Sequence, residues 1–168
     1  MAKNLKILIF PDPRLRKVAE KVIKFDKSLE NLANSMLKTM YDANGIGLAA
    51  TQIDQHIRLI VMDLSEERNE PRIFINPTYK VLEDHSLYEY EEGCLSIPGF
   101  NEVIARPDKI ELRWQDLEGN EHIDRPKGLL TVCIQHEIDH LDGKLMVDYV
   151  SALKRDRVRS RLLKEYKR

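Results

Sequence analysis

The chain has 168 residues, of which 42% are apolar and 33% charged, and its net charge is -1. These values fit a single globular domain over residues 1–168 with a sizeable core, and the sequence has no internal repeat and no low-complexity segment. No apolar run nears the ~20 residues that span a bilayer, and the net charge argues neither for nor against an anionic partner; neither a membrane nor DNA is expected as a partner.

Residues 5–10 read as a short strand, stopped by Pro11-Asp12-Pro13. Asp12 can cap a short helix with Pro13 at its first position, and Leu15, Val18 and Ala19 form its buried side. Over residues 26–44, Leu29, Leu32, Ala33, Met36, Leu37, Met40 and Tyr41 recur at three and four residues. That spacing predicts a helix with one continuous apolar stripe. Asp26 or Ser28 caps its start, and Asn44-Gly45 ends it, with Gly45 suited to the left-handed position. Residues 45–52, Gly-Ile-Gly-Leu-Ala-Ala-Thr-Gln, follow as a tight loop packed by Ala49 and Ala50. This is a poor nucleotide loop, because a helix precedes it and it has neither a third glycine nor a Lys-Ser/Thr pair. Gln52 is the residue there that can donate a hydrogen bond into a site.

Residues 56–63 read as a strand, 65–71 as a charged turn, and 72–82 as two strand pieces broken at Pro77. A strand at 86–90 leads into an irregular segment around Cys94, closed by Pro98. Three more strands follow at 103–105, 109–115 and 121–125, the last two joined by a turn with Gly119 at a hairpin position. A helix over 129–141 is stopped by Gly143. The final helix, 151–168, has a loose apolar side of Leu153, Val158, Leu162, Leu163 and Tyr166. Its other faces carry eight basic residues, Lys167 and Arg168 among them, against Asp156 and Glu165, so it is net +6 on a body that is net -7. Such a helix suits an anionic partner such as RNA. The order of elements predicts an α+β fold, with antiparallel sheets around a central metal-binding helix and a long C-terminal helix. The N-terminus shows no export signal, and two cysteines in such a chain are expected to be free thiols in a reducing cytoplasm.

The helix over 129–141 contains His136-Glu137-x-x-His140. Residues four apart lie on one helix face, so the two imidazoles point at one place, and Glu137 can reach a water held there. Two histidines and a glutamate so placed suit a metal that activates water, with Glu137 as general base. A catalytic metal needs a third protein ligand. Met146 stands where a metzincin would have its third His, and Glu165 is the only later Glu. Two thiols remain, Cys133 on the same helix and Cys94 in the irregular segment, and either can also be read as a small buried hydrophobe.

Three motifs, Gly45-Ile-Gly-Leu-Ala-Ala-Thr-Gln52, Glu92-Gly-Cys-Leu-Ser-Ile-Pro98 and Gln135-His-Glu-Ile-Asp-His-Leu-Asp-Gly143, stand in this order. Together they resemble peptide deformylase, and with the long basic final helix the chain resembles its type I class. The resemblance covers essentially the whole chain. It implies a metallohydrolase that removes the formyl group from the formyl-methionine of nascent polypeptides and releases formate. It implies Cys94, His136 and His140 as metal ligands, with Fe2+ as the native ion and Zn2+, Ni2+ or Co2+ as substitutes. Two imidazoles and a thiolate by themselves would suggest zinc. The resemblance also implies attack by metal-bound hydroxide, with Glu137 as general base and acid and with Gln52 and the Leu95 N–H as oxyanion donors. By the same resemblance, Ile46, Leu129, Val132 and Cys133 surround the methionine side chain, and Gly47 offers backbone to the peptide. The ribosome is the expected partner of the basic helix. Asn101 departs from the pattern, since many type I members carry Arg three residues after the Pro of the second motif. Two other readings are a metallopeptidase, which would cut peptide bonds, and a non-enzymatic RNA-associated protein with a structural metal.

Overall fold

The computed structural model describes residues 2–166. Its first long element is α1 (Lys27–Asp42), started by the Asp26 carboxylate, which accepts from the Leu29 N–H at 3.1 Å. Leu29, Ala33, Met36 and Met40 are buried along its stripe, as the spacing predicts. Asn44 rather than Gly45 takes the left-handed position at its end, with φ 56°. The Gly45 N–H then reaches back to the Met40 carbonyl at 2.9 Å, the closing bond of a Schellman turn.

The strands are β1 (Gly47–Ala49), β2 (Leu59–Met62), β3 (Arg72–Val81), β4 (Leu87–Gly93), β5 (Asn101–Pro107), β6 (Ile110–Gln115) and β7 (Glu121–Asp124). One sheet has the order β1-β2-β3-β6-β7, and β4 pairs with β5 in a second; every pairing of these strands is antiparallel. All four residues of β2 are buried, which an antiparallel strand achieves only when both sheet faces are covered. Leu59 and Val61 pack with α1, while Ile60 and Met62 pack with Ile134, Ile138 and Leu141 of α2 (Leu129–Leu141). The period of two along β2 therefore serves two separate cores. The central helix α2 is buried over ten of its residues, including both motif histidines and Glu137.

Several local expectations change. Residues 72–81 form one strand, because a bulge between Ile75 and Thr78 takes up Pro77 without ending the ladder. Asn76 sits at φ 51° in that bulge, and its side chain is bonded to Val22 and Gln115. Residues 47–49, expected as loop, form an edge strand. Residues 5–10 form no strand: Leu8 N–H donates to Gln52 at 2.7 Å and Phe10 N–H to Ser96 at 2.8 Å, so the segment ties two other pieces instead of joining a ladder. The Pro13–Arg16 turn is capped by Asp12 as expected and buries Leu15, and Ala19 is buried beyond it, but Val18 is 64% exposed. The last helix, α3 (Ala152–Glu165), is capped by Ser151 and buries Val158 and Leu162 against a cluster that holds Ile97. Leu153, Leu163 and Tyr166 are exposed, which narrows its apolar side, and Lys167 and Arg168 lie outside the described residues. Among the described residues no helix is long and apolar enough to cross a membrane.

Candidate metal centre

Helix α2 places His136 and His140 one turn apart, with ring centroids 5.1 Å from each other. The turn after β4 brings Cys94 over them, with Sγ 3.3 Å from His140 Nε2. The ligand atoms of Cys94, His136 and His140 all lie within 4.8 Å of one another. Cys133 lies outside this group, and burial pushes its thiol up to about 12. Three soft-to-borderline donors, two of them buried, with a cleft on their open side fit a catalytic ion that keeps one position for water or substrate.

The supporting groups form a buried chain of ion pairs. Glu92 accepts from Arg106 Nε at 2.6 Å and Nη2 at 2.9 Å, and lies 2.9 Å from His136 Nδ1. Arg106 also donates to Asp139 at 3.0 Å, and the Tyr149 hydroxyl donates to the same carboxylate at 2.6 Å. Glu92 thus occupies Nδ1 of His136 and leaves Nε2 for the metal side, an orientation typical of metal-ligating histidines. Burial opposes charge on Glu92, but His136 and Arg106 outweigh it and hold its carboxyl below the usual range. Burial also opposes protonation of His136, and here Cys94 and Glu92 prevail and raise its pKa, while burial lowers that of His140.

Glu137 lies beside this set with one oxygen, Oε2, that has no partner among the described residues. Burial is the main reason its carboxyl rises to about 7. A Cβ at Gly47 would stand 2.8 Å from Glu137 Oε1, so a larger residue there would displace the Glu137 carboxylate. Gln52 is fixed at both ends of its amide: Oε1 accepts from the Ala49 N–H at 2.9 Å and Nε2 donates to Ser96 Oγ at 3.0 Å. That nitrogen is also 3.8 Å from Cys94 Sγ. A cleft of about 440 Å³ opens over these groups. Ile46, Gly47, Gln52, Leu95, Val132, Cys133 and Glu137 line it; Leu129, at the start of α2, does not. Asn101 begins β5 opposite Gly93, where its Oδ1 takes the space a Cβ at 93 would need.

The sequence reading did not single out Glu92, Arg106, Asp139, Ser96 or Tyr149. Glu92, Ser96 and Asp139 stand inside its motifs, and that proximity was the available signal; Arg106 and Tyr149 had none.

Two buried histidines and a half-buried cysteine beside a Glu with one unpartnered oxygen among the described residues, at an open cleft, define the class of metal-dependent hydrolases. Residues 4–156 match the model of the polypeptide deformylase family. The peptide deformylase of Saccharophagus degradans is 54% identical over 163 residues, covering 97% of this chain and 94% of that one. That of Pseudomonas aeruginosa is 53% identical, covering 97% and 96%. Among solved structures, the peptide deformylase of Ehrlichia chaffeensis in complex with actinonin has a TM-score of 0.92 at 37% identity, covering 99% of each chain. A peptide deformylase from Legionella pneumophila has a TM-score of 0.89 at 45% identity, covering 96% and 95%. The chain belongs to the peptide deformylase family.

Proposed function

We propose that this chain removes the N-terminal formyl group from nascent peptides with Cys94, His136 and His140 holding one metal ion, and with Glu137 moving the proton. The observation that carries this reading is the convergence of the three ligands, with Cys94, His136 and Glu137 lining one cleft. The family is one of metalloenzymes, and Fe2+ is the ion we assign, with Zn2+, Ni2+ or Co2+ as substitutes. When bound, the ion supplies Lewis acidity toward water and the formyl oxygen.

The chain's own residues do the rest. Glu137, with a pKa raised to about 7, is suited to accept a proton from the attacking water and return it to the leaving amine. As oxyanion donors we assign the Gln52 amide, held by Ala49 and Ser96, and the Leu95 N–H, which makes no hydrogen bond among the described residues. Ile46, Val132 and Cys133 form an apolar wall suited to a methionine side chain, with Leu129 one turn before Cys133 on α2, and Gly47 presents backbone to the peptide. The three motifs close on one site, which supports residues 1–168 as one catalytic domain. Two free cysteines and a nascent-chain substrate support a cytoplasmic location.

The test is formate release from a formyl-Met tripeptide by protein loaded anaerobically with Fe2+. Release that Cys94→Ala abolishes supports the assignment; no release from folded, loaded wild type defeats it. Ribosome association is proposed for α3, where Arg157, Arg159 and Lys164 are exposed and make no ion pair among the described residues. Replacing these three with Glu leaves Val158 and Leu162 in the core. It should weaken ribosome binding, which should itself be strongly salt-dependent; binding that survives the replacement contradicts the proposal.

A further inference from the structure

The strand that lines the cleft is an edge strand, and edge strands need something to hold them. Among the described residues β1 pairs only with β2, and its entry, Gly45-Ile46, precedes the ladder. Both entry carbonyls are nevertheless held from one loop. The Arg68 guanidinium donates to the Gly45 carbonyl at 2.7 Å, and the Asp63 N–H donates to the Ile46 carbonyl at 2.9 Å. The loop is itself braced. Asp63 is fully buried and accepts from Tyr41 OH at 2.5 Å, from Ser65 Oγ at 2.6 Å and N–H at 2.9 Å, and from the Glu70 N–H at 3.1 Å. Arg68 lies over the Tyr41 ring, 5.0 Å from its centroid, and has φ 58°, a conformation a non-glycine residue keeps only where the surroundings fix it.

At Gly45 the two walls of the cleft are also in close contact. A Cβ there would lie 2.6 Å from Leu95 Cδ1, so the strand entry packs directly against the residue that follows Cys94. Any drift of Gly45 changes the spacing between the Gly45–Gly47 wall and the Leu95 wall, both of which line the cleft. A charge-assisted bond to a carbonyl is stronger than a neutral one and is well suited to prevent that drift.

We infer that Arg68 is a positioning residue for the peptide: anchored by the Asp63 and Tyr41 brace, it fixes the Gly45–Gly47 wall through the Gly45 carbonyl and so sets how the chain beyond the first residue is bound. This rests on the deformylase reading of the cleft. Arg68 touches neither the metal ligands nor Glu137, so its loss acts on binding more than on the chemical step.

Steady-state kinetics of Arg68→Met and Arg68→Lys, on formyl-methionine and on a formyl-Met tripeptide, test it. The Met variant should raise KM for the tripeptide about tenfold, with a smaller change in kcat and a smaller rise in KM for formyl-methionine. The Lys variant, which keeps charge and donor, should recover most of the loss. A purely structural residue would instead lower the unfolding midpoint and depress turnover of both substrates alike, and that result overturns the inference. So does an unchanged tripeptide KM. If Arg68→Met does not fold, Arg68→Gln is read by the same two criteria. Wild type that releases no formate defeats the function itself, a separate outcome.

Discussion

Glu92→Gln is the perturbation that best probes how the protein supports its site. In the native structure Glu92 faces three donors, two on Arg106 and one on His136, and both its side chain and that of Arg106 are 4% exposed. Gln has nearly the same shape but only one acceptor oxygen. Whichever way its amide is turned, its NH2 group meets an N–H of Arg106. Removing one partner of a buried pair costs about 3–5 kcal/mol, and the retained Asp139 contact places this case near the lower end, about 3 kcal/mol. The second effect is on the metal. With Nδ1 of His136 no longer facing a carboxylate, affinity should fall about 10- to 100-fold, the range for groups that orient metal-ligating histidines. Denaturant unfolding of the metal-free protein reads the first effect, and a competition titration with a chelator reads the second. Unfolding within about 0.5 kcal/mol of wild type, the range of a neutral surface change, together with unaltered affinity would refute the reasoning.

Glu137→Ala should lose nearly all turnover while it still binds one metal per chain; retained turnover would remove Glu137 from the mechanism. Gln52→Leu should lower kcat more than it raises KM, by about 3–4 kcal/mol of barrier if its amide meets the oxyanion, and the reverse pattern would assign it to ground-state binding. The Asp63 brace gives a pH signature. Burial opposes its charge, but Ser65, Tyr41 and the Glu70 N–H outweigh it and lower the carboxyl from 3.8 to about 2. A depressed carboxyl stabilises the fold above its unfolded value, and that contribution is lost as pH falls through the folded one. The stability advantage of wild type over Asp63→Asn should therefore shrink between pH 3.8 and about 2, and a constant difference across that window contradicts the assignment.

The features that local periodicity encodes were legible in the sequence. The stripe of α1 and the histidine pair of α2 depend on spacings of three and four residues, and the structure has both. The closing of the ligand set was less legible. Cys133 reads first as a buried small hydrophobe of the helix and Cys94 lies in an irregular segment free to meet the histidines, but it took the resemblance to settle on Cys94. The Glu92–Arg106–Asp139 network joins positions 14 and 33 residues apart, and no local pattern reports such a meeting. Backbone detail was lost for a similar reason. Asn44 tolerates the left-handed turn well enough to take the place expected of Gly45, and the bulge at Asn76 lets β3 continue past a proline. Residues 5–10 have a strand's composition, but the partners they meet are Thr39 of α1, Gln52 and Ser96, three separate pieces and no strand.

The central claim is that Cys94, His136 and His140 together hold the ion. Substituting Co2+ and recording the thiolate-to-metal charge-transfer absorption tests it most directly. Wild type and Cys133→Ser should bind one Co2+ per chain and show the band, whereas Cys94→Ser should lose it. A band that persists in Cys94→Ser and disappears in Cys133→Ser would place the metal on the other thiol and contradict the account.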